Sequence, residues 1–236
     1  MHLIILAAGK GSRLPLKFRE TPKCLVKING KTILEHNQKF FKKFKKKIIV
    51  TGYKNYLLNK FCVANNISKV VNTKYKTTNM VESLFRTKGF IKSDVLVCYG
   101  DIIFNNSVYK LFDNKENILP VYSNWHKYWK KRMKTKEIYN DAEDLVLKNN
   151  YLKNIGMKIS KKLPKYQFMG LFRLNFLSYK KMYKFYKKIN NEKIDMTSFL
   201  NKCLEKKIIK MRIKKYSSFW YEIDTMSDIK VANKNI

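Results

Sequence analysis

Three cations stand close together near the start of the 236-residue chain: Lys10, Arg13 and Lys23. They flank a run of small residues, Ala7-Ala8-Gly9 with Gly11 two positions on, which directly follows the wholly apolar residues 3–6. Glycine has no Cβ, so the backbone there can turn sharply and come close to a ligand. A strand, a glycine-rich turn with bare N–H groups and fixed cations together make a cradle for a polyphosphate. Pro22 keeps Lys23 in an extended segment. The two glycines alone are a weak signal. They lack the third glycine of the dinucleotide fingerprint, and no Gly-Lys-Ser/Thr closes a Walker loop. A plain strand-to-helix turn is the competing reading.

Two aspartates supply the opposite charge. Asp101 follows Gly100 at the end of the apolar run 95–99, and Asp224 follows Trp220-Tyr221-Glu222-Ile223. In open α/β sheets, strand C-terminal ends are where ligands bind. Asp224 or Thr225 could instead only cap the helix that follows.

A further set lies between these aspartates. Trp125, Trp129 and Arg132 form a W-x-x-x-W-x-x-R run, followed by Asp141-Ala142-Glu143-Asp144, by Gln167 with Gly170, and by Asp195. An arginine suits a phosphate or phosphonate, carboxylates suit an ammonium, and aromatic rings can pack on that cation. Residues 166–171 read as one strand whose glycine admits a ligand, and Asp195 reads as a helix N-cap. The tryptophans could equally be packing residues.

The string L-A-A-G-x-G-S-R-L with T-P-K-C-L-V, at residues 6–26, resembles the signature of nucleotidyltransferases that activate phosphorylated small molecules with an NTP, the family of sugar-1-phosphate and phosphocholine transferases. The resemblance implies that the backbone of Leu6, Ala7, Ala8, Gly9, Lys10, Gly11 and Ser12 holds base and phosphates. It also implies that Arg13 meets the departing pyrophosphate and Lys23 the α-phosphate under attack. Asp101 and Asp224 resemble the family's metal ligands, and two carboxylates at strand ends suit a Mg²⁺ that also holds phosphates and waters. Asn79 and Ser83 fall in a segment resembling N-x-x-x-S-L beside the base, although Asn79 is also a good N-cap with Glu82 at the capping-box position.

The ordered set W…R…DAE…QFMGL…DMT…W-x-E-I-D resembles the branch that joins CTP to phosphocholine, aminoalkylphosphonates or phosphorylated amino acids. Arg132, Asp141, Glu143, Gln167, Gly170 and Glu222 would then bind the acceptor. The Glu-Lys-Pro element of the sugar branch is absent, which disfavours a sugar-1-phosphate enzyme using UTP or dTTP. Asp101 is followed by Ile102-Ile103, so the Asp-x-Asp of nucleotide-sugar glycosyltransferases is missing too. The implied cofactor is Mg²⁺. The implied partners are CTP or another NTP and a small phosphorylated acceptor, with a homodimer as one option. The product would feed decoration of a surface glycan or lipid.

These residues need elements to position them. Apolar runs at 3–6, 47–51, 70–71 and 95–99 alternate with helix-like segments at 31–44 and 55–63. That alternation predicts a Rossmann-like three-layer α/β fold with a mixed, mostly parallel sheet in one domain. About residues 1–110 would bind the NTP, 111–215 the acceptor, and 216–236 would return the second aspartate.

The formal charge of +34 raises the alternative of a non-catalytic polyanion binder. Only six of the 51 basic residues are arginine, and the lysines are spread throughout, so no nucleic-acid partner is expected. No apolar run reaches spanning length, no signal peptide is seen, and four scattered cysteines read as reduced thiols, which together predict a cytoplasmic protein without stable membrane insertion.

Overall fold

A computed structural model describes residues 1–159 and 162–236. Its centre is the strand His2–Ala7, buried along its whole length. It pairs in parallel with Lys46–Thr51 on one side and Val95–Tyr99 on the other. Both faces of this strand are covered, which is why its sequence is apolar without alternation. Leu3, Ile5 and Ala7 enter one core, with residues of the helices Gln38–Phe41, Trp125–Arg132 and Met226–Asn235. Ile4 and Leu6 enter the other, with residues of Met80–Phe85, Phe176–Ile189 and Met196–Glu205. The sheet is therefore the middle of three layers.

Across the sheet the strands run Ser68–Val71, Lys46–Thr51, His2–Ala7, Val95–Tyr99, Leu171–Leu174, Ile118–Tyr122, Arg212–Tyr216, Tyr151–Lys158 and Glu143–Lys148. A tenth, Gln167–Phe168, pairs off the path with Ile118–Tyr122. Seven of the ten point the same way, so the sheet is mixed but mostly parallel, as the alternation predicts. Among the described residues no helix is long and apolar enough to cross a membrane.

Four local expectations need correcting. Lys23, expected in an extended segment after Pro22, instead opens the 3₁₀ turn Lys23–Leu25. Residues 31–44 do not form one helix. Ile33–His36 and Gln38–Phe41 are separated at the buried Asn37, whose amide donates to the Ile102 carbonyl at 2.6 Å. Residues 55–63 begin as a 3₁₀ turn, Asn55–Leu58, before Asn59–Ala64 continues as α-helix. The strand expected at 166–171 breaks at Met169-Gly170, where Gly170 has φ +74°. That left-handed conformation ends one pairing and lets Leu171–Leu174 begin another.

Gly100 closes the Val95–Tyr99 strand against the first strand, its N–H donating to the Leu6 carbonyl at 2.8 Å. A Cβ here would stand 2.8 Å from the Ala7 Cβ and 2.9 Å from the Leu6 oxygen. Both neighbours are fixed by the sheet, so Gly100→Ala lowers stability by about 1–3 kcal/mol. A denaturant midpoint unchanged from the parent would contradict this account of the strand ends.

Candidate active site

The first strand ends in a loop held from several sides. The Ala8 carbonyl accepts from the Tyr53 N–H at 3.2 Å, and Gly52 passes so near that a Cβ would lie 2.8 Å from that same oxygen. Gly11 turns with φ +70° and rests on the side chains of Leu14 and Lys23. Arg19 then clamps the turn, donating to the carbonyls of Ser12 at 2.5 Å and Leu14 at 2.6 Å. Sequence reading passed over Arg19. Its signal in the sequence is only that it is one of six arginines in a lysine-rich chain.

Lys23, 9% exposed, lies at the centre of the charges. Its ammonium donates to Asp101 Oδ2 at 2.6 Å and to Asp224 Oδ1. Arg13 reaches the other Asp224 oxygen at 2.8 Å while leaving 60% of its side chain exposed. What brings the two aspartates together is a small antiparallel pair, Ile102–Phe104 with Trp220–Glu222. The Ile223 N–H donates to the Asp101 carbonyl at 2.9 Å and continues that register to the next residue.

Burial works against the charge on Lys23, but the carboxylates of Asp101, Asp224 and Glu222 outweigh it and hold the ammonium above the lysine range. Burial likewise opposes charge on Asp224, yet Lys23, then Arg13, keeps that carboxyl below its usual range. Glu222 goes the other way. Burial and the neighbouring Asp224 raise its carboxyl above the usual range against the pull of Arg132.

Among the described residues no group of three or more His, Cys, Asp and Glu side chains is placed to hold a metal. The Asp101–Asp224 pair nevertheless suits an ion that takes its remaining ligands from phosphate and water. The buried Oδ1 of Asp101 has no hydrogen-bond partner, which leaves one oxygen for such an ion.

Beside this centre opens a cavity of about 230 Å³. Asp141, Glu143, Gln167, Gly170 and Glu222, all expected on the acceptor side, lie on its wall with Arg13 and Asp224. Asp195 and Thr197 line it as well. Asp195 does cap the Met196–Glu205 helix, accepting from the Ser198 N–H at 2.8 Å, but its carboxylate also belongs to the cavity.

Other expected residues sit elsewhere. Arg132 lines not this cavity but an adjoining one, with Arg13, Asp141 and Asp224. Its side chain, 2% exposed, is enclosed by Asp228 at 3.1 Å, Glu222 at 3.5 Å and Asp141 at 3.7 Å. Ser83 is buried, and its hydroxyl accepts from the Asn72 amide at 3.0 Å. Asn79 caps the Met80–Phe85 helix through the Met80 N–H at 2.7 Å. Glu82 makes no capping box there and instead accepts from the Tyr186 hydroxyl at 2.7 Å and pairs with Arg86.

The likenesses to known proteins agree with this architecture. The chain is 32% identical to the CTP:phosphoglutamine cytidylyltransferase of Campylobacter jejuni, over 98% of each chain. Two solved structures share the fold over nearly the whole chain. The inositol-1-phosphate CTP transferase of T. maritima matches with TM-score 0.79 at 20% identity, covering 99% of this chain and 95% of that one. The CTP:phosphocholine cytidylyltransferase of Streptococcus pneumoniae matches with TM-score 0.77 at 21% identity, covering 98% and 97%. The MobA-like NTP transferase domain matches residues 3–125, the part that carries the loop, Lys23 and Asp101. With a charged centre built on that part and a relative matching end to end, the chain belongs to the MobA-like NTP transferase family and is a nucleotidyltransferase.

Proposed function

We propose that the chain is a Mg²⁺-dependent cytidylyltransferase that joins CTP to a small phosphate- or phosphonate-bearing acceptor and releases pyrophosphate. The observation that carries this reading is the Lys23–Asp101–Asp224–Arg13 centre opening directly onto an acid-lined cavity. The name of the Campylobacter relative supports the choice of CTP.

In the reaction an acceptor oxygen attacks the α-phosphorus of CTP in line. The new O–P bond forms as the bond to the β-phosphate oxygen breaks, and that electron pair leaves with pyrophosphate. The acceptor oxygen is already ionised at neutral pH, so positioning and charge neutralisation do most of the catalysis. Asp101 and Asp224 would hold Mg²⁺, which supplies neutralising charge to the triphosphate when bound. Lys23 stabilises charge on the α-phosphate, and Arg13, at the exposed mouth, stabilises the departing pyrophosphate. The backbone of residues 6–12 holds the nucleotide.

The test is pyrophosphate release with the four NTPs crossed with phosphocholine, 2-aminoethylphosphonate, a phosphorylated amino acid and glucose-1-phosphate. CTP with an amine-bearing acceptor gives release, and EDTA abolishes it. Release confined to UTP or dTTP with the sugar phosphate would move the chain to the sugar branch. The loop carries its own prediction. Arg19→Met frees the Ser12 and Leu14 carbonyls, so KM for the NTP rises about tenfold while kcat falls less. Unchanged KM would mean that the clamp is not needed for nucleotide binding.

A further inference from the structure

Resting on the transferase reading above, we propose that Glu143, Asp195 and Gln167, with Thr197 as positioning residue, select the acceptor by binding a primary ammonium group in preference to a quaternary one. The cavity gathers five of the chain's 17 carboxylates, from Asp141, Glu143, Asp195, Glu222 and Asp224, against one lining cation, Arg13. In a chain of charge +34 that concentration is the reverse of the general composition.

The hydrogen-bond inventory is short of donors. The Thr197 hydroxyl lies 2.9 Å from Glu143 Oε1 and 3.0 Å from Asp195 Oδ1, and its single proton can serve only one of them at a time. Glu143 Oε2 accepts no hydrogen bond from the described residues, whereas Asp195 is also approached by the Ser198 hydroxyl. Burial raises the Glu143 carboxyl, and the neighbouring Asp195 and Asp141 add to this, against the hydrogen bond from Thr197.

An independent group points the same way. Gln167 is only 5% exposed, and its amide N–H donates to the Glu143 carbonyl at 2.8 Å, which fixes which end is oxygen. That oxygen belongs to a side chain on the cavity wall and accepts no hydrogen bond among the described residues. Two carboxylates that share one hydroxyl donor, beside an amide oxygen that has none, match the three N–H groups of a primary ammonium.

A quaternary ammonium has no N–H to give and relies on open aromatic faces. The rings on this wall are already engaged. The Arg132 guanidinium covers a face of Trp129 at 4.8 Å, Trp220 packs on Tyr122 at 5.4 Å, and Tyr99 meets Phe168 edge-on at 5.8 Å. Gly156 explains how Thr197 comes to be held there. With φ +81°, it lets the Tyr151–Lys158 strand lie against the helix, where a Cβ would stand 2.9 Å from Thr197 Oγ1.

The test compares phosphoethanolamine with phosphocholine as acceptors for the full chain with CTP and Mg²⁺. The expected kcat/KM favours phosphoethanolamine by roughly 10- to 100-fold, the range of a charge-assisted hydrogen bond gained or lost. Glu143→Gln collapses that ratio toward one. Thr197→Val raises KM for phosphoethanolamine about tenfold with kcat nearly kept, and Thr197→Ser restores it, which a merely structural role for Thr197 would not produce. Equal rates with the two acceptors, or a preference for phosphocholine, overturn the amine site and leave the transferase reading standing. No release with either acceptor, together with no rise in Tm on adding phosphoethanolamine, overturns the amine site, and the transferase reading falls only if the phosphorylated amino acid, 2-aminoethylphosphonate and glucose-1-phosphate are silent with every NTP as well. A Tm rise with phosphoethanolamine and none with phosphocholine, without release, upholds the amine site, and the transferase reading then stands or falls on the remaining acceptors.

Discussion

Lys23→Ala lowers the rate of pyrophosphate release by about 10²- to 10³-fold, the usual cost of removing one preorganised group that stabilises transition-state charge. Lys23 is the only side chain that touches both Asp101 and Asp224 among the described residues, so no neighbour can take its place. Lys23→Arg recovers little, because a planar guanidinium cannot put one compact charge between two carboxylates. The fold survives the change: Asp101 keeps 27% of its side chain in solvent, and Asp224 keeps Arg13.

The pH dependence follows from the same contacts. The folded Lys23 ammonium is held above the lysine range. Its contribution to stability is therefore complete below the unfolded value of about 10.4 and is lost only as pH rises through the still higher folded value. Near-normal turnover in purified, folded Lys23→Ala would remove Lys23 from the chemistry.

The parts of this site that could be read from the chain are those with strong local constraints. Residues 3–6 are apolar without alternation because both sheet faces are covered, and the loop glycines follow at once. Asp101 and Asp224 were each readable as polar residues after apolar runs. Their meeting was not legible, because it depends on the pairing of Ile102–Phe104 with Trp220–Glu222, and nothing local to either segment states that register. Asp195 shows why a correct local reading can stop short. It caps its helix as expected, and it also lines the cavity, where the strand that meets its neighbour Thr197 comes from a distant part of the chain. Ser83 was drawn toward the nucleobase by its neighbours in the chain, while the side chain that takes its hydroxyl, Asn72, lies on the loop after another strand.

Arg132 gives the second large effect. From the W-x-x-x-W-x-x-R run it reads as a cation for the acceptor phosphate, yet its guanidinium is enclosed by three carboxylates and packs on Trp129 and Tyr128. Its partner Asp228 is also buried, and the other Asp228 oxygen accepts from the Asp224 N–H at 2.9 Å and the Thr225 N–H at 2.7 Å. Arg132 thus stands two contacts from Asp224. Arg132→Met leaves Asp228 buried without its cation, which costs about 3–5 kcal/mol. A fall of that size in chemical denaturation, with turnover reduced for every acceptor because Asp224 loses its support, is the expected result. An acceptor-binding arginine would behave differently: KM for the acceptor would rise while stability stayed near the parent's. Adding Asp228→Asn to Arg132→Met removes the stranded charge and recovers part of the lost stability, since the penalty lies in the unpaired carboxylate more than in the missing bond. A double variant no more stable than the single one would mean that the packing of Arg132 on its two aromatic rings, not its ion pair, is what the fold requires.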